Sequence, residues 1–235
     1  MTSFPRKMTP LYWILLIVIV AGLAALVFFV GVTTIESRQA RIVGEMEPYK
    51  SPAEPGRPPA AQLTGKGIAV VYFSRSGNTA LAARHVANRL GASIYSLAVP
   101  QYELGLHGLA NSALDADALR KDSRKLPEVT PRTIDLKRFS TVWLGSPVWF
   151  YSPAPPLWAF AEHNRFDSQH VVLFNTFNSN FGDDQIVAFK RKLMERGAVS
   201  FEHRYVLRGR MSRQLTPEQM LQSIDEQWFG SQPKN

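Results

Sequence analysis

The chain has 235 residues, 45% hydrophobic and 20% charged, enough for one ordinary folded domain with additional segments. It contains no cysteine, which excludes disulfides, thiolate nucleophiles and Cys-based metal or iron–sulfur centres. The formal net charge is +8, and from Gly65 onward 21 Lys and Arg still stand against 15 Asp and Glu. Such a surface favours anionic headgroups, an acidic protein partner or a phosphate-bearing substrate, while no recognition motif supports nucleic acid.

Residues 1–10 read as a short tail carrying Arg6 and Lys7. No charged residue lies between Lys7 and Glu36, and Leu11 to Val32 is almost wholly apolar. At 1.5 Å per residue this run spans about 33 Å, enough to cross a hydrocarbon core. Tyr12 and Trp13 sit at one end, where aromatic rings favour the headgroup zone. The run is longer than a signal-peptide core, and Thr33-Thr34-Ile35-Glu36 makes a poor cleavage site. Residues 11–32 are therefore expected to form one transmembrane helix, placing the chain in a cell membrane as a single-pass protein. Arg6 and Lys7 on one side balance Arg38 and Arg41 on the other, so the side holding the soluble part stays open. Residues 33–64 read as a linker, polar at first and then Pro-rich over Ser51 to Pro59, a semi-rigid spacer.

Residues 65–232 read as the folded domain. Ile68 to Phe73 is an apolar run rich in β-branched and aromatic types, and it breaks at Ser74-Arg75-Ser76-Gly77-Asn78-Thr79. Apolar residues return at Ala82, Val86 and Leu90, the spacing of one helical face, so the stretch reads as strand, loop and helix. The first N–H groups of a helix lack intrahelical partners and carry a positive dipole, which suits a phosphate. Gly77 would let the backbone approach closely, with the hydroxyls of Ser74, Ser76 and Thr79 and the amide of Asn78 around it. A plain helix cap would explain Thr79 alone. The loop lacks the Gly-Lys-Ser/Thr ending of a triphosphate-binding loop and the G-x-G-x-x-G of a dinucleotide fold.

Further strands are expected at Ala92–Val99, Thr141–Ser146, Gln169–Phe174 and Val199–Leu207. Helices are expected over Leu106–Lys121, Pro155–Asn164, Asp184–Arg196 and from Thr216-Pro217-Glu218-Gln219, a capping box. The last helix shows an apolar face of Met220, Leu221, Ile224 and Trp228. His107 lies in the least periodic part and reads as a structural or solvated histidine rather than a catalytic one. After the third strand, Ser146-Pro147-Val148-Trp149-Phe150-Tyr151 puts three aromatics in a loop fenced by prolines, large flat faces suited to a planar ligand. One of the three is expected to be ordinary core. After the fourth strand, Thr176, Phe177, Asn178 and Gly182 belong to a polar loop able to satisfy the edges of such a ring.

YFSRSGNT resembles the first loop of the flavodoxin family, and GSPVWF is similar to a loop of flavodoxin-like proteins and FMN-dependent quinone reductases. The third loop matches that family only loosely. The resemblance covers Lys66 to Trp228, leaves the expected transmembrane helix and linker outside it, and implies an α/β fold, a doubly wound five-stranded parallel sheet of order 2-1-3-4-5. In that order the three loops converge at the carboxyl ends of adjacent strands. It implies FMN, its phosphate on Ser74, Arg75, Ser76, Gly77, Asn78 and Thr79. Its ring would lie against Ser146, Pro147, Val148, Trp149, Phe150 and Tyr151, with Thr176, Phe177, Asn178 and Gly182 at the edge. The backbone N–H of Arg75, rather than its guanidinium, is expected to face the phosphate. No catalytic side chain and no metal site is expected, since the flavin supplies the redox chemistry. The expected activity is transfer from NAD(P)H, or from a redox partner protein, to a quinone-like acceptor. The alternatives are a tethered FMN electron carrier serving a membrane partner, and a flavodoxin-like scaffold that has lost FMN.

Overall fold

Strands with apolar residues on both faces need layers on both faces, and parallel neighbours need long crossovers that helices supply. The computed structural model describes residues 9–45, 67–122, 124–209 and 214–230, and it has this arrangement. Five parallel strands, β1 (Gly67–Phe73), β2 (Ser93–Leu97), β3 (Phe139–Trp149), β5 (His170–Phe177) and β6 (Ser200–Leu207), lie in the order β2-β1-β3-β5-β6. A two-residue strand, β4 (Ser152–Pro153), folds back antiparallel on the end of β3. With β4 set aside, the order is the expected 2-1-3-4-5.

Alternation along each strand sorts its side chains to two cores. Ala69, Val71 and Phe73 of β1, with Val142, Leu144, Val171 and Leu173, face α3 (Leu106–Lys121), α4 (Pro155–His163) and α5 (Asp183–Glu195). Val70, Trp143, Val172, Phe174 and Val206 face α2 (Asn78–Leu90) and α6 (Pro217–Trp228). Gly145 of β3 lies under the Phe174 ring, where an added Cβ would come within 2.2 Å of it. At α6 the expected capping box is present: Gln219 N–H donates to Thr216 Oγ1 at 3.2 Å, and Thr216 N–H to Gln219 Oε1 at 2.9 Å. Met220, Ile224 and Trp228 are buried, and Leu221 packs at their edge.

Three boundaries differ most from the sequence reading. β3 continues through Pro147 and Val148 to Trp149, and β5 through Asn175 and Thr176 to Phe177, where loops were expected. Polar residues can extend these strands because their side chains are satisfied sideways. Asn175 Nδ2 donates to the Ser146 carbonyl at 2.9 Å, and His203 Nε2 bonds Asn175 Oδ1 at 2.9 Å. The third difference is α1, which spans Pro10–Glu45 and so runs past Val32 into the expected linker. Thr33, Thr34 and Ser37 turn their hydroxyls back onto carbonyls of the preceding turn, at 2.8 to 3.1 Å, which lets polar residues prolong the helix. Its apolar part is exposed over residues 11–30, and by length and composition it can cross a membrane. The tail through Met8, the Pro-rich stretch of the linker and residues 231–235 lie outside the described residues.

Candidate functional site

The first loop joins β1 to α2 at the carboxyl end of the sheet. Gly77 is the residue before α2 and has φ 92°, a left-handed conformation that a side chain would oppose. Its N–H donates to Ser74 Oγ at 3.1 Å, and its carbonyl accepts the Leu81 N–H at 2.8 Å. No side chain caps α2. The Thr79 hydroxyl instead shares a 2.8 Å hydrogen bond with Thr176 Oγ1 at the end of β5, and Thr79 is 1% exposed. The plain-cap explanation of Thr79 therefore has no hydrogen bond behind it. Asn78 Nδ2 lies 3.4 Å from Ser76 Oγ and 3.5 Å from Gln39 Oε1 of α1. The Arg75 guanidinium is committed to Glu36 of α1 through an ion pair and to the Gly105 carbonyl at 3.1 Å.

The second segment is a tight hairpin rather than an open loop. Val148 pairs with Pro153 and Trp149 with Ser152, which leaves Phe150 and Tyr151 as a two-residue turn. Both have positive φ, 46° and 70°, as a type I′ turn requires. Trp149 is the packed aromatic of the three. It meets Phe73 edge-on at 5.5 Å and Tyr102 at 5.6 Å between ring centroids. The Tyr102 hydroxyl donates to Asp115 Oδ2 at 2.7 Å, and burial with that carboxylate pushes its pKa well above the usual phenol range. Phe150 and Tyr151 are exposed. Ser146, fully buried, holds the hairpin from behind: its Oγ accepts the Ala154 N–H and donates to the Pro147 carbonyl, each at 2.8 Å.

The third segment leaves β5 after Phe177, whose ring meets Phe181 at 5.3 Å and Tyr205 at 5.7 Å. Gly182 precedes α5 and donates its N–H to the Tyr151 carbonyl at 2.7 Å, tying this segment to the hairpin turn. His203 stands beside Phe181 and Tyr205, and burial pushes its pKa down to about 4.

The three segments line one cleft. Of the residues singled out from sequence, Ser74, Arg75, Ser76, Asn78, Thr79, Pro147, Val148, Trp149, Thr176, Phe177 and Asn178 line it. Gly77, Ser146, Phe150, Tyr151 and Gly182 do not; they shape the segments that do. Ser179 and Asn180 of the third loop join the lining, as do Leu109 and Ser112 of α3, Glu36 of α1 and Arg208 just beyond β6. The contributions of α1 and α3 carry no signature in sequence, because they follow from how those helices pack. Arg208 has one: it continues the buried-face alternation of β6 from Val206, an odd place for a cation.

The donor set fits FMN. Hydroxyls and a helix start suit a phosphate, the Trp149 side of the cleft offers apolar surface for a ring, and Asn178, Ser179 and Asn180 offer polar edges.

A sequence model of the family described as Flavodoxin matches residues 67–218. Two candidate flavoproteins of known structure are similar in fold. The one from Bacteroides uniformis is 20% identical over 68% of this chain and 98% of that chain, with a TM-score of 0.52. The one from Bacteroides eggerthii is 18% identical over 68% and 96%, with a TM-score of 0.50. A flavoprotein from Lactobacillus acidophilus, solved in complex with FMN, is 20% identical over 59% of this chain and 93% of that chain, with a TM-score of 0.46. No curated protein matches the chain.

Proposed function

Because the chain belongs to the flavodoxin family, we propose that it binds FMN in this cleft as a membrane-anchored oxidoreductase, passing electrons from NAD(P)H to a quinone-like acceptor. The observation that carries the reading is the convergence of the Ser74–Thr79 loop, the Pro147–Trp149 strand end and the Thr176–Asn180 segment on one cleft. Bound there, FMN supplies the hydride and single-electron chemistry. The chain's own part is to hold and shield. The loop hydroxyls and α2 N–H groups bind the phosphate, Trp149 limits water on one side of the ring, and Asn178 and Asn180 fix its polar edge. Anchoring by α1 is supported by its exposed apolar length, and a lipid-soluble acceptor follows from that anchoring. The positive charge of the domain suits a phosphorylated donor. Full-length protein in detergent, loaded with FMN and mixed anaerobically with NADPH, should lose its flavin absorbance and regain it on adding a short-chain quinone. A flavin that takes no electrons from either pyridine nucleotide would sink this route.

A second reading is favoured by the exposed aromatic rim of Phe150 and Tyr151, 47% and 56% accessible beside the cleft. Such a rim suits a protein partner, and the chain would then be a tethered carrier reduced only by that partner. A purified, FMN-loaded protein inert to NAD(P)H but reduced by a membrane extract would favour it.

A further inference from the structure

Arg208, the residue after β6, is one of the residues that line the cleft. Along this strand Val206 is 1% exposed and packs with α2 and α6, Leu207 is 49% exposed, and Arg208 is 5% exposed. Alternation places Arg208 on the same face as Val206, the face that α2 covers. Its N–H donates to the Phe177 carbonyl at 2.8 Å, which keeps the residue in the ladder beside the cleft. Because the strands are parallel, the end of β6 and the start of α2 lie at one end of the sheet.

A guanidinium taken out of water this far is costly unless an anion meets it. Arg208 Nε has no hydrogen-bond partner, and among the described residues its guanidinium makes neither a hydrogen bond nor an ion pair. Arg75, the other arginine of the cleft, is already neutralised by Glu36. A buried cation without its own anion therefore lines the same cleft as a loop of hydroxyls and a helix start.

We propose that Arg208 is a phosphate-binding residue of this cleft, its planar guanidinium taking the phosphate monoester of FMN together with the Ser74–Thr79 loop. The chain would then select a phosphorylated flavin over an unphosphorylated one by charge as well as by neutral donors. This assignment rests on the flavin reading above.

The test compares FMN with riboflavin, which shares the ring and lacks the phosphate, by titrating flavin fluorescence against full-length protein in detergent. Arg208→Gln should weaken FMN binding about tenfold to a hundredfold and leave riboflavin binding unchanged, the loss expected for one charge-assisted contact. Arg208→Lys should retain part of the preference, and circular dichroism melts show whether each variant is folded. Equal losses for both flavins, or an unchanged FMN affinity, would overturn the assignment while leaving the flavin reading in place. A parent protein that binds both flavins equally would do the same. A parent protein that takes up neither flavin would overturn the flavin reading, and the assignment with it.

Discussion

Thr79 and Thr176 lie 97 positions apart and share one buried hydrogen bond of 2.8 Å. Replacing Thr79 with Val removes a donor from the Ser74–Thr79 loop and strands the Thr176 hydroxyl, a loss of about 1–3 kcal/mol in a buried setting. FMN affinity in Thr79→Val should fall about tenfold while the far-ultraviolet spectrum is unchanged; an affinity equal to the parent's would leave this threonine a purely structural tie. His203 makes a different prediction, about pH. Burial depresses its pKa from 6.5 to about 4, so between those values the unfolded chain binds a proton that the folded chain refuses. Its contribution to stability is complete above pH 6.5 and drains away as the pH falls toward 4. The gap between melting temperatures at pH 7 and pH 4.5 should therefore be smaller in His203→Gln than in the parent, and an equal gap would assign the acid sensitivity to other groups. Residues such as Thr79 were legible because hydroxyls crowd a strand's end in the sequence. His203 was not, because its role depends on Asn175, Phe181 and Tyr205, which only the sheet brings beside it.

The hairpin of β3 and β4 turns through two aromatic residues in a conformation that Asn and Gly adopt more readily. Left-handed backbone costs about 1–2 kcal/mol per non-glycine residue, and Phe150 recovers part of it under the Arg120 guanidinium, 5.9 Å from its ring centroid. Exchanging Phe150 and Tyr151 for Asn and Gly should raise the melting temperature by a few degrees, about 1–2 kcal/mol, while slowing electron exchange with the acceptor or partner. A lower melting temperature would show that the rim aromatics stabilise the fold. The middle of each strand and helix was readable because apolar periodicity comes from the buried faces. Strand ends were not: Pro147, Asn175 and Thr176 look like loop residues, and only their cross-sheet partners make them ladder members. The polar second half of α1 was equally hidden, since Ser, Arg, Gln and Ala suit a linker as well as a helix. The strand order came with the family resemblance, because periodicity alone does not order a sheet.

α1 connects the exposed apolar helix to the cleft, through the Glu36–Arg75 ion pair and the approach of Gln39 to Asn78. Glu36 follows Val32 by four residues, about 6 Å along a helix axis, so on the proposed anchoring the Ser74–Thr79 loop sits near the headgroups. A fluorophore on Leu106→Cys, beside the Gly105 carbonyl that Arg75 bonds, checks this in a chain with no other cysteine. Headgroup-linked quenchers in reconstituted vesicles should dim it, and adding Glu36→Ala should weaken that dimming; a probe indifferent to the quencher would show the domain standing clear of the lipid. The contact between α1 and the loop also bears on how reactants arrive. A cleft held at fixed height over a lipid surface meets membrane-dissolved molecules by a two-dimensional search, at a local concentration set by the bilayer's small volume. Water-soluble donors still arrive from three dimensions. The two halves of a turnover would then respond to different variables, the lipid-borne half to the amount of membrane and the aqueous half to bulk concentration and salt.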